Sequence, residues 1–210
     1  MGGGEVKPYR DGLANGSAAM RGTYKERHDI MKIDKKYKIE SASSADATRQ
    51  ILNSVYIDRT EGESGAQAIA TDGRMMAMVP VELRDGDKVG VIVSPKAFAA
   101  ARKACGKLPD AHIELNGSAK VTGRDGEQSF SYVEGTFPNY RQVLPKEYKN
   151  SVKVTFDAKL LHALWKAIGG EEASSNKVTL EIDSEKDSYS PIKVTTDGDG
   201  KGILMPMRTA

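Results

Sequence analysis

Two stretches of this 210-residue chain carry the same helix pattern at an offset of 63 residues. Ser94 and Asp157 are each suited to cap a helix N-terminus, and Gly106 and Gly169 stand where the two helices would end. The apolar residues share one register: Phe98, Ala101 and Cys105 correspond to Leu161, Leu164 and Ile168. Shared caps and core faces predict a duplicated strand–helix–strands unit. Two unrelated amphipathic helices are the alternative.

Strand signals surround both helices and are separated by turn dipeptides. Alternation and β-rich composition predict strands over 51–57, 66–70, 75–81, 89–93, 113–115, 120–122, 129–133, 153–156, 178–182, 192–195 and 202–207. Asp72-Gly73, Asn116-Gly117 and Asp125-Gly126 mark turns between them. The stretch 30–44 mixes helical and strand spacing, so both stay open there. Pro206 predicts that the last strand lies at a sheet edge.

Composition excludes several classes of protein. A single cysteine, Cys105, excludes an intramolecular disulfide and a cysteine-based zinc site, and His28, His112 and His162 are too far apart for ligand spacing. We therefore expect no metal and no cofactor. No apolar run is long enough for a membrane helix, and the N-terminus lacks the apolar stretch of a signal peptide. We expect a cytoplasmic protein whose residues 1–28 form a flexible tail.

The net charge of +2 does not by itself indicate nucleic-acid binding, so any DNA contact requires clustered basic residues. The two predicted helices provide such a cluster along matching stripes, flanked by small residues. Its members are Lys96, Arg102, Lys103, Lys107, Lys159, His162 and Lys166. A basic helix face of this kind suits sequence-neutral contact with phosphates. An ordinary solvated helix face is the alternative.

Three segments resemble signatures of the bacterial sliding clamp, the β subunit of DNA polymerase III, and they occur in the clamp's order. They are Arg49-Gln-Ile-Leu-Asn-Ser with Ala70-Thr-Asp-Gly-Arg-Met-Met-Ala77, then Glu134-Gly-Thr-Phe-Pro-Asn-Tyr-Arg-Gln-Val-Leu-Pro145, and finally Leu204-Met-Pro-Met-Arg208. The second and third are long and unusual, which makes the combination specific. The resemblance covers about residues 30–210.

The resemblance implies an α+β sliding-clamp fold of repeated strand–helix–strands units, with antiparallel sheets outside and helices on one face. It also implies a domain division. Residues 1–28 are the tail, 29–148 resemble the clamp's middle domain, and 149–210 resemble the second half of its third domain. The clamp's first domain and the first half of its third have no counterpart in this sequence. Its middle-domain first helix matches poorly.

The resemblance further implies a pocket that binds short peptides of polymerases, clamp loaders or repair proteins. Carried over by position, its residues are Leu52, Thr71, Arg74, Met76, Val143, Ile203, Met205, Pro206, Met207 and Arg208. Methionines are adaptable apolar fillers, and arginines can bind carboxylate or carbonyl oxygens. Ordinary core packing of the methionines is the alternative. The family usually has His where Arg74 stands and Leu where Met76 stands, which predicts a different peptide preference.

Three functions are compatible with these features. The first is a clamp that encircles duplex DNA as a homo-oligomer, where six domains per ring at one and a half domains per chain would require four chains. The second is a non-encircling adaptor or decoy that binds clamp partners without loading on DNA. The third, an enzyme, would need Asp72 with Arg74 or His162 with Lys166 as a catalytic pair. Asp72 is better explained as a turn residue and His162 as part of the basic stripe, so we expect no enzyme.

Overall fold

The computed structural model describes residues 30–59, 65–83, 89–145, 151–183, 185 and 189–208. The predicted tail, 1–28, lies outside the described residues. The chain divides into two compact units, with the boundary between Asn139 and Tyr140. We call them unit 1 and unit 2 and describe each by itself. The assignment of domains to 29–148 and 149–210 stays a prediction.

The described residues of unit 1 form two four-stranded antiparallel sheets, a short 3-10 helix and one α-helix. The strands are β1 (Ile30–Asp34), β2 (Val55–Arg59), β3 (Ala66–Thr71), β4 (Met76–Val81), β5 (Val91–Val93), β6 (Asp110–Leu115), β7 (Ala119–Gly123) and β8 (Gly126–Phe130). The 3-10 helix is Ile39–Ala42, and α1 is Pro95–Cys105. The sheet orders are β1-β6-β7-β8 and β4-β3-β2-β5. The sheets thus exchange strands, since β1 pairs with β6 while β5 pairs with β2.

The core of unit 1 lies between these sheets and α1. Along β6, Ala111, Ile113 and Leu115 alternate inward and are buried, as the two-residue period of a strand requires. The helix contributes Phe98 and Ala101. Burial of each large apolar side chain stabilises the fold by about 1.5–3 kcal/mol. The apolar register of the first predicted helix is therefore confirmed as a core face.

Helix α1 begins and ends where the sequence predicts. The Ser94 hydroxyl accepts the backbone N–H of Lys96 over 3.3 Å, and Pro95 occupies the first turn, where no N–H is needed. Gly106 ends the helix with φ of 57°, a conformation that disfavours residues with a Cβ. Lys107 follows this glycine, so it lies beyond the helix. The prediction of one helical stripe through Lys96, Lys103 and Lys107 is wrong for Lys107.

Unit 2 is smaller and holds one three-stranded antiparallel sheet. Its elements are a 3-10 helix (Tyr140–Gln142), α2 (Ala158–Ala167), β9 (Thr179–Glu181), β10 (Ile192–Thr195) and β11 (Lys201–Leu204), with sheet order β11-β10-β9. Asp157 caps α2 by accepting the N–H of Lys159 over 2.7 Å. Ile192, Val194 and Leu204 are buried, but no residue of α2 is.

One backbone hydrogen bond recurs at the end of each strand–helix–strands unit. Met207 donates its N–H to the carbonyl of Thr155 over 2.7 Å, and Val133 donates to Ile92 over 2.8 Å. Thr155 and Ile92 are 63 residues apart, which confirms the predicted duplication. A third example is Glu82, which donates to the Lys32 carbonyl over 2.9 Å.

The described residues therefore contain three repeats. Repeat 1 runs from β1 to β4 with the 3-10 helix 39–42. Repeat 2 runs from β5 to β8 with α1. Repeat 3 comprises segment 153–156, α2 and β9 to β11. The sequence missed repeat 1, because its helix is a single 3-10 turn without an amphipathic pattern.

Several strand predictions are corrected. Segment 153–156, predicted as a strand, pairs with no strand in the part of the chain that the structure describes. The prediction of a strand over 51–57 fails before Val55, since the Ser54 hydroxyl donates to the Gln50 carbonyl over 2.6 Å and holds a turn there. The last strand, predicted to Met207, ends at Leu204, two residues before Pro206. Its place at a sheet edge is confirmed.

Candidate peptide site and basic helix faces

The turn between β3 and β4 is tightly built and carries two predicted peptide-binding residues, Thr71 and Arg74. The Thr71 hydroxyl donates to the Met75 carbonyl over 2.6 Å. The Asp72 carboxylate accepts the N–H groups of Arg74 and Met75, each over 2.8 Å, and Gly73 takes a φ of 90°. Arg74 is exposed on this turn, which is held from within by side-chain oxygens.

Those hydrogen bonds also set the charge state of the turn. The backbone N–H groups of Met75 and Arg74 stabilise the ionised Asp72 carboxylate and hold its pKa below the ordinary value, and the Arg74 guanidinium adds to this. The side chain is therefore engaged in the turn and not poised as a base. This agrees with the prediction that Asp72 is a turn residue.

The remaining predicted residues of unit 1 are less exposed. Met76 and Leu52 are half-buried. The Leu52 carbonyl accepts the N–H of Ser44 over 2.8 Å, which fixes the turn before β2. Sequence reasoning passed over Met75, which is more than half exposed beside Arg74. Only the structure shows that Met75 is exposed, because no pattern in the sequence distinguishes it from Met76.

The C-terminal stretch of unit 2 presents apolar side chains to solvent. Ile203, Met205 and Met207 are 61%, 58% and 50% exposed, whereas Leu204 between them is buried. Their two-residue spacing puts them on the same side of an extended chain. The bond from Met207 to Thr155 holds that chain in place. Three exposed large apolar residues in one row are typical of a binding surface.

Polar and aromatic groups flank this row. The Arg208 guanidinium lies 5.8 Å from the centre of the Tyr189 ring, within cation–π range. Tyr189, which sequence reasoning did not select, thereby orients a predicted peptide-binding arginine. Val143, another predicted residue, is strongly exposed just after the 3-10 helix 140–142.

The predicted DNA-facing residues are mostly exposed on the two α-helices. Lys96 and Lys103 project from α1, and Lys159, His162 and Lys166 project from α2. Within α2, the His162 ring stacks on Trp165, with 5.7 Å between the ring centres. The Lys166 ammonium lies 2.5 Å from the carboxylate of Glu171, which follows the helix.

Arg102 differs from these residues. Its guanidinium forms an ion pair with Glu40 of the 3-10 helix 39–42, and both side chains are mostly buried. A guanidinium engaged in this way joins two elements of unit 1. The other basic residues of α1 have no such ion pair among the described residues.

Bacterial sliding clamps resemble this chain in sequence. The chain is 29% identical over 161 residues to the β sliding clamp of Caulobacter vibrioides, and 27% identical over 151 residues to that of Synechococcus elongatus. Each match covers 69% of this chain. The chain is a relative of the bacterial sliding clamps.

Solved structures of sliding clamps share the fold. The β subunit of DNA polymerase III from Borrelia burgdorferi superposes with a TM-score of 0.67, at 20% identity, over 93% of this chain and 50% of that one. The clamp of Caulobacter crescentus gives a TM-score of 0.59 at 18% identity, over 87% and 66%. The expected α+β sliding-clamp fold, with antiparallel sheets, is confirmed.

The kinship to clamps is partial. This chain spans about two fifths of the length of the curated clamps it matches, covering 41% and 40% of them. No protein-family model matches it. The ten predicted peptide-binding residues divide between the units, with four in unit 1 and six in unit 2.

No group of three or more His, Cys, Asp or Glu side chains capable of holding a metal ion occurs in the part of the chain that the structure describes. Within the same residues, no helix is both long and apolar enough to cross a membrane.

A shallow depression of about 530 Å³ lies in unit 1, and none of the predicted peptide-binding residues lines it. It is lined by Asp34, Lys35, Lys36, Arg102, Gly106 and Pro109. The Lys36 ammonium stands 2.8 Å from the Asp34 carboxylate, and Lys35 donates to the Gly106 carbonyl over 3.1 Å. Its polar groups are thus engaged with each other.

Proposed function

We propose that this chain is a clamp-like accessory protein of DNA replication that binds short peptides of polymerase, clamp-loader or repair partners. The exposed row of Ile203, Met205 and Met207 carries the proposal, because three large apolar side chains are costly to leave in water without a ligand. Kinship to sliding clamps supports the choice of ligand. Such a protein acts by tethering in the cytoplasm and needs no catalytic residue, metal or cofactor.

The peptide site in this proposal comprises the ten residues carried over from the clamp resemblance. Arg208 and Arg74 would bind carboxylate or carbonyl oxygens of the peptide, and the methionines would pack on its apolar side chains. Arg208 is supported by its orientation over Tyr189. Arg74 is supported by the tight turn that presents it.

We also propose that the basic residues of α1 and α2 face duplex DNA without sequence preference. Lys96, Lys103 and Lys159 support this, since they are exposed and their helices begin with the same type of cap. A homo-oligomer of four chains would match a six-domain ring. The alternative is an adaptor or decoy that keeps the peptide site and does not load on DNA.

Peptide binding is tested by fluorescence anisotropy with a labelled clamp-binding peptide from a bacterial replicative polymerase. Met205→Asp and Met207→Asp each place a charge in the apolar row and should weaken binding by about 30-fold or more. Leu108→Asp, at a similarly exposed residue of unit 1, is the matched control and should bind normally. Equal affinities for all three variants would refute the peptide site.

Retention on circular DNA distinguishes the two functions. A protein that encircles DNA stays on a closed plasmid through gel filtration and leaves once the plasmid is cut, because only topology holds it. An adaptor elutes separately from both forms of DNA.

A further inference from the structure

Unit 2 leaves exposed the apolar positions that unit 1 buries. In α1, Ala97 is fully buried, but Leu160, its counterpart 63 residues later in α2, is 57% exposed. The inward residues of β6 are also fully covered. By contrast, Val178 and Ile182, which flank β9, are 40% and 41% exposed and alternate with Leu180, which packs against the small core. The inner face of repeat 3 is therefore only partly covered.

In unit 1, repeats 1 and 2 cover each other by exchanging strands. Strand β1 of repeat 1 pairs with β6 of repeat 2, and β5 of repeat 2 pairs with β2 of repeat 1. Each exchanged strand is also the one whose carbonyl accepts the closing hydrogen bond of its own repeat, at Lys32 or Ile92. Each repeat thus gives one strand and receives one.

Repeat 3 has a strand-like segment to give, 153–156, and an edge strand, β9, that could receive one. Neither has a partner strand on its open side among the described residues. Segment 153–156 accepts the closing bond at Thr155 on one edge, and its other edge pairs with no strand among the described residues. Val154 and Phe156 stand where repeat 2 has Val91 and Val93, which pair with β2. In the described sheet, β9 is an edge strand with one unpaired side.

We propose that a second copy of this chain completes repeat 3. Segment 153–156 of each copy pairs antiparallel with β9 of the other, about a two-fold axis, and the two repeats together form the equivalent of one whole clamp domain. The arrangement is self-complementary, as an isologous dimer requires, because each copy gives and receives the same strand. The pairing is one that this chain already makes inside unit 1.

The pairing in unit 1 also sets the register. There, Met31 lies opposite Ile113, one residue before the closing position at Lys32. Val154 precedes the closing position at Thr155 in the same way, and Leu180 is the central inward residue of β9.

This register places Val154 opposite Leu180 and Phe156 opposite Val178, so that apolar residues meet inside. Lys153 falls opposite Glu181 on the outer face, where opposite charges attract. Both the apolar and the charged pairs are thus complementary, as favourable cross-strand neighbours should be.

The proposed dimer does not depend on peptide or DNA binding, so it can be tested without either ligand. Sedimentation equilibrium of the full chain should give at least twice the 22.7 kDa of one chain, and four times that mass where two such dimers close into a ring. Val178→Asp with Ile182→Asp should raise the dimer dissociation constant by about 100-fold or more, since charges enter the contact of both copies. Both residues are exposed in the single chain, so its fold should tolerate the change.

The matched control replaces two similarly exposed residues of unit 1, Val89→Asp with Leu108→Asp, and should dimerise normally. A wild-type chain that stays monomeric at high concentration would overturn the proposal. A Val178/Ile182 variant that dimerises as well as the control would overturn it too.

A charge exchange tests the register. Lys153→Glu and Glu181→Lys should each weaken the dimer, by up to about 10-fold, because each cross-strand ion pair occurs twice. Glu181 also pairs with Lys193 of its own chain over 2.6 Å, and that pair is lost in both variants that carry Glu181→Lys. The double variant restores the cross-strand pair with its charges reversed and should therefore dimerise more tightly than Glu181→Lys alone. A double variant weaker than both single variants would exclude this register.

Discussion

Met207 is joined to Thr155 by a 2.7 Å backbone hydrogen bond, which fixes the predicted peptide-binding row against the segment that precedes α2. The bond leaves the Met205 and Met207 side chains in solvent, because the backbone alone makes the connection. An apolar row held by its backbone is already ordered before a peptide arrives, which lowers the entropic cost of binding.

Deletion of residues 205–210 should abolish peptide binding and leave unit 1 folded. It removes the two methionines, Arg208 and the bond to Thr155, all of which belong to unit 2. Anisotropy with the polymerase peptide measures binding, and amide hydrogen exchange in β2 and β3 measures the integrity of unit 1. Peptide affinity that survives the deletion would contradict the assignment, provided exchange in β2 and β3 is unchanged.

Gly135→Ala should destabilise unit 1 by about 1–3 kcal/mol. Gly135 has a φ of 138°, which is unfavourable for residues with a Cβ, and a Cβ there would lie 2.5 Å from the Ile51 side chain. Urea unfolding measures the loss. Gly65→Ala is the matched control, since Gly65 has open space around it and an ordinary φ. Equal midpoints for the two variants would show that the Ile51 contact is not restrictive.

Asp72→Ala should destabilise the β3–β4 turn at neutral pH and have less effect in acid. The N–H groups of Met75 and Arg74 lower the folded pKa of Asp72. The carboxylate's contribution is therefore complete above its unfolded pKa and is lost as pH falls through the folded pKa. Urea unfolding from pH 7 to below about pH 4 follows this difference. Asp72→Asn keeps an acceptor oxygen, so its stability should depend little on pH. If Asp72→Ala loses the same stability at every pH, the ionised carboxylate is not what stabilises the turn.

Local signals in the sequence were sufficient for the two α-helices and for the Asp72-Gly73 turn. Ser94 and Asp157 cap because their side-chain oxygens reach an N–H two residues on, and this depends on neighbouring residues alone. The 63-residue offset then predicted equivalent positions, which the bonds at Ile92 and Thr155 confirm.

Long-range pairing was outside the reach of those signals. Segment 153–156 has a strand-like sequence, yet a strand needs a neighbour, and no local pattern shows whether one is present. The same limit applies to Arg102, which spacing alone placed with the basic residues of α1. Its pairing with Glu40 links positions 62 residues apart, which no periodic pattern records. That all ten predicted peptide-binding residues contact the same peptide also stays a prediction.

Arg102→Ala should lower stability, whereas Lys103→Ala should weaken DNA binding, although the two residues are adjacent. Loss of Arg102 leaves the mostly buried Glu40 carboxylate unpaired, which should cost about 1–3 kcal/mol in urea unfolding. Loss of the exposed Lys103 should leave stability unchanged and reduce the salt dependence of duplex DNA binding by about 0.9 in slope, the effect of one phosphate contact.

Lys201→Ala, at an exposed lysine of β11, is the matched control for DNA binding and should keep the wild-type slope. If Lys103→Ala and Lys201→Ala bind DNA alike, the basic residues of α1 form an ordinary solvated face. If Arg102→Ala lowers the salt slope without loss of stability, the guanidinium contacts DNA and the ion pair with Glu40 does not hold in solution.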